Sequence, residues 1–278
     1  MRTTDIAAAA PRWALITGTL LTVAALAACS SAGHGAAPLT PLSSNSGRTA
    51  GLTVQLTSAE LAVKLKSTSN VTSAHITVSS KVGNQTVLAA QGDETAADGK
   101  LTAMSLNEQA GSLDMAIVLT GGALYVKLPS EMNTSGRPWE KADAGSSNPV
   151  LRQLASSISS LEQSASLDQY RSMAQAATSL RTVGTEQVNG AAAIHYLLMV
   201  DVTKIHGTGF TDAARVALTQ AGIAKIPVDV WVDSRSRPVR MSEKFSVNGQ
   251  LVSTDVTVGQ YNQPVTIAAP PASQVSTN

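Results

Sequence analysis

Cys29 is the only cysteine in the 278-residue chain and its most reactive nucleophile. It directly follows Leu26, Ala27 and Ala28, at the end of an apolar run. A thiol at this position can accept a diacylglyceryl group, and the small side chains before it leave room for a peptidase. The spacing therefore predicts that Cys29 is lipidated and that the chain is cleaved immediately before it.

The residues before Cys29 have the pattern of an export signal. Arg2 and Arg12 give a basic start, and residues 13–27 are apolar apart from three threonines and a glycine. This run is shorter than the roughly 20 residues that span a bilayer, and it matches the apolar part of a signal peptide. Residues 26–29 resemble the lipobox of bacterial lipoproteins. An ordinary cleaved signal peptide, or an uncleaved anchor with an incidental cysteine, stays open as an alternative.

Residues 29–50 are predicted to form a flexible tether after a signal peptide at 1–28. Ser, Gly, Ala, Pro and Thr dominate this segment, so it cannot bury enough apolar surface to fold. As a flexible coil it would span roughly 25 Å. A lipidated Cys29 leaves the mature chain without a free thiol or a disulfide, so its stability must come from the core alone.

Charge and aromatic content argue against nucleic acid as a partner. Of 20 Lys and Arg residues, Arg2 and Arg12 precede Cys29, and of 19 Asp and Glu residues only Asp5 does. The mature chain would therefore carry equal numbers of each charge, without a basic face. The whole chain has only 3 Trp, 4 Tyr and 2 Phe, which poorly supports base-stacking platforms.

The sequence lacks the motifs of common catalytic and metal sites. His75, His195 and His206 are scattered, and neither a His-Glu-x-x-His pattern nor a nucleophile elbow, a phosphate loop or a dinucleotide fingerprint occurs. We therefore predict a protein that is not an enzyme and that uses neither a cofactor nor a metal. His195, beside Tyr196 in an apolar strand, is interpreted as a half-buried histidine with satisfied hydrogen bonds.

Five other polar positions are interpreted as parts of strands and turns. Asp229 and Asp233 alternate with valines, which is typical of the solvent face of a strand. Arg235, Arg237 and Arg240 could contact lipid headgroups, but a solvated turn explains them more simply.

Residue patterns predict a strand-rich domain over residues 51–270. A capping box at Thr57 and Glu60 begins a helix to about residue 69. Later helices are predicted from 148, from 166 to about 180, and from 211 to Gly222. The predicted strands are 74–82, 85–91, 100–108, 113–120, 123–128, 182–188, 191–202, 228–233, 239–247 and 250–258, with an edge segment at 261–267. Residues 74, 76, 78 and 80 are predicted to share one face of their strand, and Asn189-Gly190 is predicted to form a hairpin turn. Residues 129–147 are predicted as a loop and 271–278 as a disordered tail.

The chain resembles the actinobacterial lipoproteins of the LppX/LprAFG type, whose fold is similar to that of the LolA and LolB lipoprotein carriers. The resemblance is carried by the lipobox, residues 123–129 with 137–139, residues 227–233 with 237–240, and Tyr261 with 264–267. It implies an α+β fold, in which helices pack on the concave face of a large curved antiparallel sheet, a half-barrel. It also implies that lipid or glycolipid acyl chains bind in the cleft between sheet and helices.

Apolar residues on the predicted strands and helices are candidates for the lining of such a cleft. Methionine suits contact with variable chains, although most such residues in most proteins are packed core. The candidates are Met104, Leu106, Met115, Ile117, Leu151, Leu154, Ile158, Met173 and Met199.

The leading hypothesis is a lipid-anchored monomer on the extracytoplasmic face of the membrane that binds acyl chains and passes them to an envelope acceptor. A second hypothesis is an envelope sensor or scaffold that binds a protein partner. A hydrolase that depends on His195 or His206 is the third, and it lacks a visible nucleophile–base pair.

Substitution of Cys29 tests the anchor. We expect Cys29→Ala to release the protein from the membrane fraction without unfolding it, because the acyl chains contribute about 0.8 kcal/mol per buried CH₂ and Cys29 lies outside the predicted domain. Membrane fractionation measures the release, and circular dichroism measures whether the fold is kept. Retention of the variant in the membrane after removal of the export signal would contradict the prediction.

Overall fold

The computed structural model describes residues 56–276 except 66–69, 99, 132, 134–135, 147, 149–150, 153–154, 156–165, 206–211 and 248. The lipobox residues, Cys29 and the predicted tether lie outside the described residues, as do Leu154 and Ile158. The side chains of residues 166–169 and 212–214 are also not described.

The described residues form twelve strands and three α-helices. The strands are β1 (Ser73–Val82), β2 (Gln85–Ala97), β3 (Lys100–Ala110), β4 (Leu113–Thr120), β5 (Ala123–Lys127), β6 (Trp139–Lys141), β7 (Ala177–Val188), β8 (Ala191–Asp201), β9 (Lys225–Asp233), β10 (Pro238–Val247), β11 (Gln250–Gly259) and β12 (Val275–Ser276). The helices are α1 (Ser58–Leu65), α2 (Ser166–Ala176) and α3 (Asp212–Gln220), with 3₁₀ turns at Val202–Lys204 and Ala272–Gln274. Leu151, Arg152 and Ala155 are also helical.

All twelve strands belong to one sheet in the order β12-β6-β5-β4-β3-β2-β1-β11-β10-β9-β8-β7. Neighbouring strands are antiparallel except β12 and β6, which are parallel. The sheet is curved and unclosed, with edges at β12 and β7. The predicted α+β fold with a half-barrel sheet is therefore confirmed.

Alternation along the strands divides the sheet into two faces. We call the face that carries Ile76, Val78, Leu106, Ile117 and Met241 the inner face, because these side chains are all buried. The opposite face is the outer face. On β1 the predicted alternation is confirmed, since residues 74, 76, 78 and 80 are buried while 75, 77 and 79 are half-buried or exposed.

Helices cover part of the inner face. Leu61 and Leu65 of α1 and Tyr170 and Met173 of α2 belong to one buried cluster with inner-face residues of β1 and β8–β11. A second buried cluster lies on β3–β5 and includes Leu151. Burial of such side chains stabilises each helix by about 1.5–3 kcal/mol per large apolar residue.

The predicted capping box begins α1. The Thr57 backbone N–H donates to Glu60 Oε2 at 2.7 Å, and the Glu60 N–H donates to Thr57 Oγ1 at 3.2 Å. Hydrogen bonds from the backbone and hydroxyl of Thr57 lower the pKa of Glu60. The predicted hairpin turn at Asn189-Gly190 is also confirmed, since both residues have positive φ, 52° and 78°.

The predicted helix through residue 180 is wrong in its last turn. α2 ends at Ala176, and β7 begins at Ala177 instead of residue 182. Ala177 and Leu180, within the predicted helix, instead pair with Val200 and Leu198 of β8. The long β7–β8 ladder satisfies backbone N–H and C=O groups from residue 177 to residue 188. This pairing outweighs the helical spacing of the apolar residues near 177–180.

The segments around β6 and at the C-terminal end of the chain also differ from prediction. The predicted loop at 129–147 contains β6, and the predicted edge segment at 261–267 forms no strand. The residues predicted as a disordered tail include β12, which pairs with β6. Arg137 Nη1 holds this segment by donating to the Val275 carbonyl at 2.6 Å. Two residues are too few for a periodic signal, so sequence patterns could not show β12.

Gly92 tests the close packing between β2 and β3. A Cβ at this position would lie 1.9 Å from the Ser105 carbonyl oxygen, whereas a Cβ at Gly184 on β7 meets nothing within 4 Å. We expect Gly92→Ala to lower the free energy of unfolding by about 3 kcal/mol, because backbone must move. Gly184→Ala should change it by less than about 1 kcal/mol. Urea denaturation measures both, and equal midpoints would contradict the prediction.

Candidate ligand cleft

One cross-strand row on the inner face defines the candidate cleft. Val78 of β1 lies opposite Ala90 of β2, which lies opposite Glu108 of β3, which lies opposite Met115 of β4. Because side chains directly opposite one another in a sheet are in contact distance, this row places a carboxyl group between an alanine and a methionine.

A cavity of about 710 Å³ lies over this row. Its lining includes Val78, Ala90, Glu108 and Met115, and it continues to Leu128 after β5. Ligand pockets in proteins typically have about 300–1,000 Å³ and a mostly apolar lining with a few polar groups. The cavity is therefore large enough for an apolar chain with one polar end.

Glu108 is the acidic group of the row. Its side chain is half-buried, and desolvation raises its pKa to about 7. The carboxyl group is consequently partly neutral near physiological pH. A neutral carboxyl group can donate a hydrogen bond to a ligand oxygen, and it disturbs an apolar chain less than a charged one does.

The structure brings some of the predicted cleft residues together. Met104, Leu106, Met115, Ile117 and Leu151 belong to the second buried cluster, and each is at most 8% exposed. Of these, Met115 lines the cavity over the row. The other three strand residues pack beside it as core.

Two predicted cleft residues lie elsewhere. Met173 lies on α2 and belongs to the first buried cluster. Met199 lies on the outer face, because its neighbours Leu198 and Val200 are fully buried on the inner face. An apolar residue in an apolar strand does not reveal its face until the register is known.

Sequence reasoning missed a buried acid, Glu243 of β10. It is 1% exposed on the inner face between Met241 and Phe245, and its Oε1 accepts no hydrogen bond in the described part of the chain. Burial raises its pKa to about 8. Burial, followed by the nearby Glu94 and Glu243, also raises the pKa of the Tyr170 hydroxyl. Glu243 occupies an apolar position in the alternation of β10, and this was the sequence signal that could have revealed it.

The outer face carries a network of paired charges around His195. The His195 Nδ1 lies 2.7 Å from Glu186 Oε1, and its Nε2 lies 2.7 Å from Asp229 Oδ1. Its ring stacks on Trp231 at 4.2 Å between centroids. The Trp231 Nε1–H donates to Glu186 Oε2 at 2.8 Å. This hydrogen bond, followed by the one with His195, lowers the pKa of Glu186.

Both ring nitrogens of His195 are therefore engaged, and the prediction of a satisfied, half-buried histidine is confirmed. Neither nitrogen is available to a substrate in this arrangement. His206, the other histidine of the hydrolase hypothesis, lies outside the described residues.

The arginines of the same region are bound by carboxylates. Arg237 contacts Asp233 at 2.7 Å within the turn, and Arg240 contacts Asp255 at 2.6 Å. The guanidinium group of Arg240 also lies over the Trp231 ring at 4.7 Å. Arg237 lies in the turn as predicted, and Asp233 is the last residue of β9. The interpretation of Arg240 as part of a solvated turn is wrong, because Arg240 lies in β10, where Asp255 and Trp231 hold its guanidinium group.

No group of three or more His, Cys, Asp or Glu side chains in the described part of the chain could hold a metal ion. No helix there combines the length and the apolar character needed to cross a membrane.

Solved structures with a similar arrangement include two mycobacterial lipoproteins. LppX from Mycobacterium tuberculosis is 19% identical, with a TM-score of 0.48 over 75% of this chain and 98% of LppX. LprF from Mycobacterium bovis is 15% identical, with a TM-score of 0.49 over 77% of this chain and 96% of LprF. The LolA superfamily protein NE2245 from Nitrosomonas europaea is 11% identical, with a TM-score of 0.24 over 75% and 95%. No protein-family model and no curated protein matches the sequence.

Glu243 makes stability depend on pH. The unfolded chain loses this proton near pH 4.5, whereas the folded chain holds it to about pH 8. In this window the folded state binds more protons, so the free energy of unfolding falls as pH rises, by up to about 1.4 kcal/mol per unit. We expect Glu243→Gln to reduce this fall by about 2 kcal/mol or more, measured by urea denaturation at about pH 5 and pH 8.

Glu131→Gln is the matched control, because Glu131 is exposed. It should keep the wild-type pH dependence. Glu108 contributes a fall of the same sign, so the Glu243→Gln slope should be shallower without vanishing. Identical slopes for both variants and the wild type would contradict the prediction.

Proposed function

We propose that this chain is an exported lipoprotein that binds acyl chains of lipid or glycolipid and carries or presents them within the cell envelope. The observation that carries the proposal is the cavity of about 710 Å³ along the row that contains Ala90 and Met115. Its size and its apolar members suit an acyl chain, and binding would proceed by burial alone, without bond chemistry.

The proposed anchor is diacylglyceryl-Cys29, with residues 1–28 removed as a signal peptide. Two acyl chains hold a protein stably at a membrane. A tether over residues 29–50 would keep the single domain at 51–270 within roughly 25 Å of the bilayer. The domain would thus act as a monomer on the extracytoplasmic face, beside the membrane that supplies its ligand.

Binding energetics support this mechanism. Each CH₂ that moves from water into an apolar site contributes about 0.8 kcal/mol. The methionine at position 115 can adapt to chains of different shape. Glu108, with its pKa raised to about 7, would lie beside the chain without a full charge.

A second candidate function is binding of a protein partner by an envelope sensor or scaffold. The specific observation that favours it is β7, an edge strand whose residues 177–187 are mostly exposed. An exposed edge offers backbone groups that can pair with an added strand. Cross-linking in cells separates the two functions. A protein partner that cross-links stoichiometrically, and still does so when bulky side chains fill the cleft, favours the sensor or scaffold function.

Filling the cavity tests the leading function. We expect Ala90→Trp to reduce uptake of a fluorescent fatty acyl probe at least about tenfold, because the indole occupies the space that an acyl chain would take. Ala192→Trp makes the same change at an exposed position of β8 and should bind as the wild type does. Circular dichroism checks the fold of each variant.

Mass spectrometry of an organic extract from the wild-type protein, purified from a native-like host, should detect bound acyl lipid. The proposal fails if the protein is consistently empty and also takes up no probe.

A further inference from the structure

Glu140 lies at the centre of β6, between two other strands. Its Cα partners are Val126 of β5 and Ser276 of β12. Val126 points to the inner face and is 1% exposed, so Glu140 occupies the same face. The side chain of Glu140 is itself buried, at 1% exposed.

The carboxyl group of Glu140 has no hydrogen-bond partner among the described residues. Neither Oε1 nor Oε2 takes part in a hydrogen bond in the part of the chain that the structure describes. Asp143, three residues on, differs because its Oδ1 accepts from the Gly145 N–H at 2.7 Å. A buried acceptor without a partner opposes folding, and an ionised one does so more strongly. Burial accordingly raises the pKa of Glu140.

Glu140 is one of the residues that line a cavity of about 490 Å³. Its lining also includes Leu151, Pro270 and Val275, which supply apolar surface. The C-terminal segment forms one wall. Arg137 secures this wall through its hydrogen bonds to the carbonyls of Val275 and Ala272, at 2.6 and 3.5 Å.

The charges of the lining favour a cation. Glu140 and Asp143 are acidic, and Lys141 is the basic member. Lys141 follows Glu140 directly in the strand, so its side chain points to the opposite face, and it is exposed. Among the described lining residues, no basic side chain therefore shares the face of Glu140.

We propose that this cavity binds the primary ammonium group of a small amphiphilic ligand, whose N–H groups donate to Glu140. An ammonium group has three donors and can satisfy both oxygens at once. Hydrogen bonds between two charged groups are about twice as strong as neutral ones. The apolar part of the ligand lies against Leu151 and Pro270.

This site is separate from the cleft over Ala90 and Met115, since the described linings of the two cavities have no residue in common. If acyl binding is not found, the proposal of an ammonium site is unaffected. If ammonium binding is not found, the proposal of an acyl cleft is likewise unaffected. The ammonium group can come from a soluble amine or from an aminolipid headgroup.

Calorimetry with the full mature chain, carrying Cys29→Ala in place of the lipidated residue, tests the site. Hexylammonium should bind more tightly than hexan-1-ol and than hexyltrimethylammonium, which has no N–H donor. Glu140→Gln should weaken hexylammonium binding about tenfold or more. Glu131→Gln, the same change at an exposed position, should leave it unaltered. Binding should also release a proton, seen as heats that differ between buffers of different ionisation enthalpy.

Equal affinities for hexylammonium and hexan-1-ol, or unchanged binding by Glu140→Gln, would overturn the proposal. If Glu140→Gln does not fold, Glu140→Leu serves instead. It should be at least as stable as the wild type and lose the ammonium preference. Retention of that preference would likewise overturn the proposal.

Vesicles separate the two sources of the ammonium group. Glu140-dependent binding to phosphatidylethanolamine vesicles over phosphatidylcholine vesicles identifies the headgroup. Hexylammonium binding without that difference identifies a soluble amine. Either result supports the ammonium site.

Discussion

Pairing between β1 and β11 is the interaction on which the rest of the described structure depends. It runs from His75 opposite Gly259 to Val82 opposite Val252, although these strands lie far apart in the chain. Without it, β1–β6 with β12 would form one sheet and β7–β11 another. The ladder brings Ile76 and Val78 beside Val258 and Val256, so the apolar rows of the two halves join into one inner face. The helices and both cavities are built on that face.

The two faces of this sheet differ in whether their acidic side chains are paired with basic ones. On the outer face, carboxylates are matched with bases, as Asp229 is with His195 and Asp255 with Arg240. On the inner face, Glu108, Glu140 and Glu243 have raised pKa values because burial is not offset by a nearby cation. Paired charges on the outer face stabilise the sheet modestly. Unpaired acids on the inner face cost stability, which is typical of positions kept for binding.

These acids give the proposed lipid binding a chemical character that an entirely apolar cleft would lack. Glu108 lies along the path proposed for an acyl chain, and Glu140 lies at a second cavity near the C-terminal segment. A ligand with a long apolar part and a polar end suits such a surface better than a plain hydrocarbon does. The inner face thus combines area for burial with a few sites that could recognise a headgroup.

Local sequence patterns were sufficient for the features that depend on neighbouring residues. The capping box at Thr57 and Glu60, the turn at Asn189-Gly190 and the alternation of β1 are all confirmed, because near neighbours alone decide them. The strand-rich order, together with the family resemblance, also led to the correct fold class.

Features that depend on distant partners came only from the tertiary structure. The β7–β8 ladder ended α2 at Ala176, and β6 ordered β12. Register placed Met115 in the cleft and Met199 on the outer face. It also buried Glu140 and Glu243, whose acidic side chains appear ordinary in the sequence. A residue's type sets what its side chain can do, whereas its environment is set by strands many residues away, through contacts that a local pattern does not contain.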